Sequence, residues 1–205
     1  MFKLFYAPNA CSLSPHVALR EAELPFELEK VDFMRGKRLA SGADLMSVNP
    51  KGYVPAMLLD DGQLLTEGAV MVQYIADLAP AKKLAPPQGS FERVRLQEWL
   101  NFIATELHKG FSPLFSPVAN EEYKTAVKEK LAHRFSLLAT GLGDQPWLTG
   151  QTFTVADGYA LYVMRTWVRV VKTELPGGLP AYLERIQERP SVQAALAAEG
   201  LSSKP

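Results

Sequence analysis

The sequence predicts two units in tandem: an α/β unit with four strands over residues 1–79 and an all-helical unit over residues 90–205. Three observations carry this reading. Before Ala79, short apolar strand-like runs are interrupted by segments of helical period. At 80–89, Pro80, Pro86 and Pro87 gather with few core candidates, the signature of a linker. Beyond it, apolar residues recur three and four apart almost throughout.

The elements follow in order. Phe2 to Tyr6 forms a short strand and Ala7 to Ala10 a loop. Cys11 and Ser12 then sit where the helix carrying Leu13, Val17, Ala18, Leu19 and Ala22 must begin, with Pro15 tolerated in its first turn. Glu27 to Phe33 reads as a second strand, and Ala43 to Val48 as a short helical stretch. The run Ala56 to Gly68 reads as a hairpin turning at Asp61-Gly62. Glu67-Gly68 opens a helix through Ala69, Val70, Val72, Tyr74, Ile75 and Leu78. After an N-cap at Ser90, the residues Val94, Leu96, Trp99, Leu100, Ile103 and Leu107 predict one long apolar face, bent or ended by Pro113 and Pro117. Tyr123 to Leu142 follows as a second long helix, stopped by Gly141 and Gly143. Thr154 and Asp157 have the spacing of a capping box. The helix they open, with Tyr159, Ala160, Leu161, Val163, Met164, Trp167 and Val168, is apolar on most sides and belongs at the centre of the helical unit, so Asp157 is expected to be structural. Leu179 to Leu201 forms shorter helices around Pro190.

Composition narrows the function classes. The 205 residues are 47% apolar, ample for a buried core, and 22 basic residues balance 22 acidic ones, giving no bias toward nucleic acid or anionic lipid. A single cysteine forbids an intrachain disulfide, as in a reducing compartment. Met1-Phe2-Lys3 runs straight into a strand, and no apolar run of about 18 residues could span a bilayer. The expectation is a cytoplasmic protein. Three scattered histidines and one cysteine offer no metal-ligand spacing.

The chemistry concentrates at two helix starts. Glu67 and Gly68 put a carboxylate and unpaired backbone N–H groups at one helix N-terminus, a combination suited to a ligand bearing both an ammonium and a carboxylate. Val54, ahead of Pro55, offers backbone groups that pair with an extended peptide if the bond between them is cis. A short zwitterionic peptide is the ligand implied. The alternative is that Glu67 only stabilises the helix and Pro55 only ends a loop. Cys11, at the other helix start, is expected to have its thiolate favoured by the helix dipole.

Taken as an ordered set, the strand, Cys11-Ser12 at a helix start, Val54-Pro55 and Leu65-Thr66-Glu67-Gly68 resemble the thioredoxin-like domain of cytosolic-type glutathione transferases, whose sheet is mixed and four-stranded. The segment Glu98-Trp99-Leu100-Asn101-Phe102-Ile103-Ala104-Thr105-Glu106-Leu107-His108-Lys109 resembles the bacterial beta class, and the likeness runs from Phe2 to Leu201. The resemblance implies a detoxifying enzyme that conjugates the thiol of glutathione, its co-substrate, to a small apolar electrophile. Glu67 and Gly68 would hold the γ-glutamyl end, and Tyr53, Val54 and Pro55 the cysteinyl backbone. Lys37 is the choice for the glycine carboxylate, with Arg35 and Arg38 as alternatives. Cys11, the backbone at Ser12, and His108 from the helical unit would stabilise the thiolate, with Lys109 beside them. Tyr6 is a weaker contender for that task. Phe111, Phe115 and Trp167 either line the electrophile pocket or belong to the core. The family is usually homodimeric, so Asn101 and Thr105 are expected to reach across an interface. Two departures stand out: Tyr53 occupies a position often held by glutamine, and Gly68 one often held by serine. Two other functions stay open. One is a glutathione-dependent monothiol reductase or peroxidase working through a Cys11 mixed disulfide. The other is a non-catalytic binding protein on the same fold.

Overall fold

A computed structural model describes residues 1–203. The strands β1 (Phe2–Tyr6), β2 (Phe26–Asp32), β3 (Arg38–Leu39), β4 (Ala56–Leu58) and β5 (Leu64–Thr66) form one sheet in the order β3-β2-β1-β4-β5. Only β1 and β2 run parallel, Phe2 opposite Phe26, because the helix between them carries the chain back to the starting edge. The sheet is mixed, with five strands instead of four. Arg38 and Leu39 pair antiparallel with Asp32 and Val31, directly after Lys37. Two residues are too few to show a period.

Helix α1 (Leu13–Glu21) and helix α2 (Gly68–Leu78) complete this unit. The hairpin turns at Asp61-Gly62 as its residues demand: Gly62 has φ +83°, and the Asp61 carboxylate accepts from the Gln63 N–H at 3.0 Å. The helices beyond are α3 (Phe91–Phe102), α4 (Glu121–Leu142), α5 (Val155–Thr166), α6 (Leu179–Gln187) and α7 (Pro190–Ala198). The run after α3 departs from the expected continuous helix. Ile103–His108 is a π-helical turn, with the Lys109 N–H reaching back five residues to the Ala104 C=O, and Lys109–Phe115 is 3₁₀-helical around Pro113. Val94, placed on the apolar face by its spacing, is 52% exposed, whereas Leu96, Leu100, Ile103 and Leu107 are buried.

All twelve residues of α5 are buried, as its all-round apolar pattern requires. The capping box forms: Asp157 Oδ2 accepts from the Thr154 backbone N–H at 2.7 Å and its hydroxyl at 3.1 Å, while Oδ1 accepts from the Leu148 N–H at 2.9 Å and the Tyr182 hydroxyl. Phe111 and Trp167 prove to be core residues packed on either side of Phe135, with ring centroids 6.2 and 4.9 Å away, and Phe115 is exposed. For Phe111 and Trp167 that arrangement favours the core over a pocket.

Helix α1 packs against α2, α5 and α7. Buried His16 bonds Glu199 through Nδ1 at 2.9 Å and accepts from Arg20 Nε through Nε2, also at 2.9 Å. Because arginine only donates, the His16 proton sits on Nδ1 and is given to Glu199. Glu21 takes both arms of Arg189, at 2.6 and 2.7 Å.

The join between α2 and α3 has its own clamp. Arg93 donates two parallel bonds to Asp77, each 2.8 Å, and a third to the Pro86 C=O. The guanidinium holds the Asp77 carboxyl below the ordinary range. A depressed folded value gives stability that is present above the unfolded value of about 3.9 and is lost as pH falls through the folded one. Asp77→Asn should therefore cost about 1 kcal/mol at pH 7, discounted for the partly exposed carboxylate, with the difference from the parent in urea melts shrinking as the pH is taken down below the unfolded value of about 3.9.

Candidate active site

The loop from Ala7 to Ser12 is drawn tight before α1 starts. Ser12 is fully buried, and its hydroxyl accepts from the Ala7 N–H at 3.1 Å and donates to the Ala7 C=O at 3.3 Å. That hydroxyl is committed to the loop, so only the Ser12 backbone remains for a ligand. Tyr6 is buried at the end of β1 with its ring 6.3 Å from that of His16.

Cys11 lies in the turn ahead of α1, partly buried, and its Sγ donates to the Val54 C=O at 3.3 Å. Burial pushes the thiol up to about 11, against smaller opposing effects from its own backbone N–H and the Lys109 charge. The expectation of a dipole-stabilised thiolate fails here, because burial outweighs the helix terminus. The Val54-Pro55 bond is cis, and the Val54 C=O already takes the Cys11 proton.

Across from this loop, Glu67 caps α2 with φ +68°. Its carbonyl accepts from the Val70 and Met71 N–H groups, leaving those of Gly68 and Ala69 ahead of the helix's own bonds. Its carboxylate Oε1 is fastened by Lys51 Nζ at 2.6 Å and the Tyr53 hydroxyl at 2.9 Å, and these bonds hold it below the usual carboxylate range. Lys51 also reaches Thr66 Oγ1 at 3.0 Å. Ammonium groups flank the Tyr53 ring, Lys51 at 5.9 Å and Lys109 at 5.8 Å from its centroid. Lys37, with φ +64°, brings its Nζ to within 2.8 Å of where a Cβ on Gly52 would stand, so it borders the same 49–55 segment. A Cβ on Gly68 would meet Pro55 Cγ at 3.6 Å and the Tyr159 hydroxyl at 4.0 Å, ordinary contacts that show how close α5 comes to this helix start.

From the helical unit, His108 is partly buried with Nδ1 2.8 Å from the Tyr159 hydroxyl. Burial first and the Lys109 charge second push its imidazole down to about 4, so it is neutral at pH 7. Asn101 and Thr105 are exposed, and the Thr105 hydroxyl is spent on the Asn101 C=O at 2.9 Å.

The structure thus links Cys11 to Val54, Glu67 to Tyr53, Tyr53 to Lys109, and the start of α2 at Gly68 to Pro55 and Tyr159, with His108 joined to them through Tyr159. Sequence reading missed Lys51 and Tyr159. An ammonium beside an acidic helix start sixteen residues away leaves no local signal, and Tyr159 in an apolar run reads as core.

A mixed-sheet unit with Cys11 ahead of α1 and Glu67 at the start of α2, followed by a helical unit, defines the class. The description "Glutathione S-transferase, N-terminal domain" matches residues 10–78, and "Glutathione S-transferase, C-terminal domain" matches residues 102–190. This chain belongs to the glutathione S-transferase family. Within it, the chain is similar to the glutathione S-transferase GstA of Escherichia coli O157:H7, at 51% identity over 97% of this chain and 99% of that one. Among solved structures it is similar to the bacterial beta class enzyme of Sphingomonas chungbukensis and to a sphingomonad glutathione S-transferase complexed with glutathione. Each is 43% identical with a TM-score of 0.91, covering 98% of this chain and all of the other. Among the described residues, no helix is long and apolar enough to cross a membrane.

Proposed function

We propose that this transferase joins the thiol of glutathione to small apolar electrophiles, and that it does so as a cytoplasmic, detoxifying homodimer. The observation that carries the reading is the acidic start of α2, with Glu67 and the Gly68 and Ala69 N–H groups, next to Pro55 and within electrostatic reach of Cys11, which bonds Val54. The γ-glutamyl ammonium would meet Glu67 and its carboxylate the N–H groups; the cysteinyl backbone would lie along Val54 beside Tyr53 and Pro55; and Lys37 would take the glycine carboxylate. Residues 1–79 would supply this half and residues 90–205, beyond the 80–89 linker, would supply His108 and the electrophile's surroundings. The sphingomonad relative is complexed with glutathione, which supports glutathione as the ligand. For the dimer, the support is an apolar stripe at 70, 74 and 78 on α2, with Val70, Tyr74 and Leu78 at 51, 36 and 43% exposure, together with exposed Phe91 and Val94 on α3. Asn101 and Thr105 would lie along it.

A free glutathione thiol titrates near 8.5, and moving it two units down needs roughly 2.7 kcal/mol of preferential stabilisation of the thiolate. The Cys11 and Ser12 N–H groups and the neutral His108 ring are the donors available for that. Cys11 keeps its proton at pH 7, given to the Val54 C=O, and so is not a competing nucleophile, which favours conjugation over a mixed-disulfide reductase. Two measurements test this. Conjugation of glutathione to a chloronitrobenzene should largely survive Cys11→Ala; total loss would move the assignment to the reductase. Alkylation of the single thiol by iodoacetamide should stay slow at pH 8 and climb only toward about pH 11.

A further inference from the structure

We propose that Tyr159 is a positioning residue: its hydroxyl donates to His108 Nδ1 and so fixes the imidazole proton on Nε2, where it can be offered to the glutathione sulfur. The inference rests on the conjugation reading above and extends it to a residue that touches neither glutathione nor electrophile in that reading. The Tyr159 O–H lies 2.8 Å from His108 Nδ1, and His108 is its one hydrogen-bond partner among the described residues. A phenol always holds its proton here, since burial, with smaller contributions from the nearby Cys11, Tyr162 and Glu67, raises Tyr159 further above its ordinary value. That proton has to be donated somewhere, and a neutral imidazole that accepts at Nδ1 carries its own hydrogen at Nε2.

The surroundings make the arrangement rigid. Tyr159 is 4% exposed in the middle of α5, two residues after the fourfold-bonded Asp157. The His108 ring stands edge-on to Tyr159 and to Tyr162, at centroid distances of 5.9 and 5.0 Å. The π-helical turn at 103–108 sets the backbone from which His108 reaches α5. The Tyr159 hydroxyl is also the atom that approaches the start of α2, and Cys11 is within electrostatic reach of both tyrosines. A protonated His108 would be an unpaired charge next to Lys109, so the site works with a neutral N–H donor, and a neutral donor needs its tautomer chosen for it.

The test uses the whole protein, labelled with ¹⁵N. The ring nitrogens of His108, assigned by their loss in His108→Gln, should show the Nε2–H tautomer at pH 7 in the free protein; an Nδ1–H pattern there would overturn the proposal whether or not any variant folds. In Tyr159→Phe the two tautomers should mix. The same variant should lose ~10-fold in kcat of conjugation with the KM for glutathione within about twofold, and the thiolate absorbance of bound glutathione should titrate about one unit higher. In a His108→Gln background Tyr159→Phe should cost nothing more; a further tenfold loss there, or an unchanged thiol titration in Tyr159→Phe alone, would reduce Tyr159 to a structural residue. A failed conjugation reading would instead appear as absent thiolate absorbance and activity in the unaltered protein, with its tautomer pattern intact.

Discussion

Asp157→Ala should lower the melting temperature by about 10 °C or more. The carboxylate is fully buried and accepts from four donors: the Thr154 N–H and hydroxyl, the Leu148 N–H and the Tyr182 hydroxyl. Alanine leaves them without an acceptor in a water-excluded place, at about 1–3 kcal/mol for each that cannot relax. Two of the four belong to one residue and will move together, so the sum is about 3–5 kcal/mol rather than four independent penalties. For a chain of this length each kcal/mol is worth roughly 2–4 °C. Asp157→Asn keeps one acceptor oxygen and should fall between parent and alanine. Calorimetric melts decide the matter: a drop below about 2 °C for Asp157→Ala would mean that the box is decoration and that burial of α5 alone holds the helical unit.

Glu67→Gln should weaken glutathione binding by ~10–100-fold, the range for losing a hydrogen bond to a charged group. The amide keeps the shape and the unusual φ of +68°, removing only the charge. Lys51 and Tyr53 both fasten Oε1, which leaves Oε2 to meet a ligand ammonium. Titration calorimetry with S-methylglutathione isolates this end of the ligand from thiol chemistry. A change of less than threefold would show that Lys51, not a ligand, is what the carboxylate serves.

The parts of the molecule legible in sequence were those coded locally. The Thr154–Asp157 box is a four-residue signature, the Asp61-Gly62 turn a dipeptide, and the buried helix behind the box needs only its uninterrupted apolar run. Glu67 and Gly68 were found because a helix start is also local. What could not be read was set by distance along the chain. The state of the Cys11 thiol depends on Val54, 43 positions away, and on burial that no helix-terminus argument contains. Tyr159 looked like core because its ring is core; only its hydroxyl, 51 positions from His108, does anything else. Lys51 was overlooked as an exposed lysine in a turn. The π-helical turn after α3 shifts the register by one residue and leaves no local signal, yet the predicted apolar face still holds at Ile103 and Leu107.

The clasp of Glu21 by Arg189 and of His16 by Glu199 joins positions 168 and 183 apart. On a ribosome adding about 5–20 residues per second, that separation is a wait of roughly 8 to 37 seconds. Throughout it α1, whose residues from Leu13 to Leu19 are all buried in the fold, has emerged without α7, one of the helices that cover it. The sheet unit is therefore born with a sticky flank, and chaperone occupancy during synthesis should peak on nascent chains that end between α1 and α7.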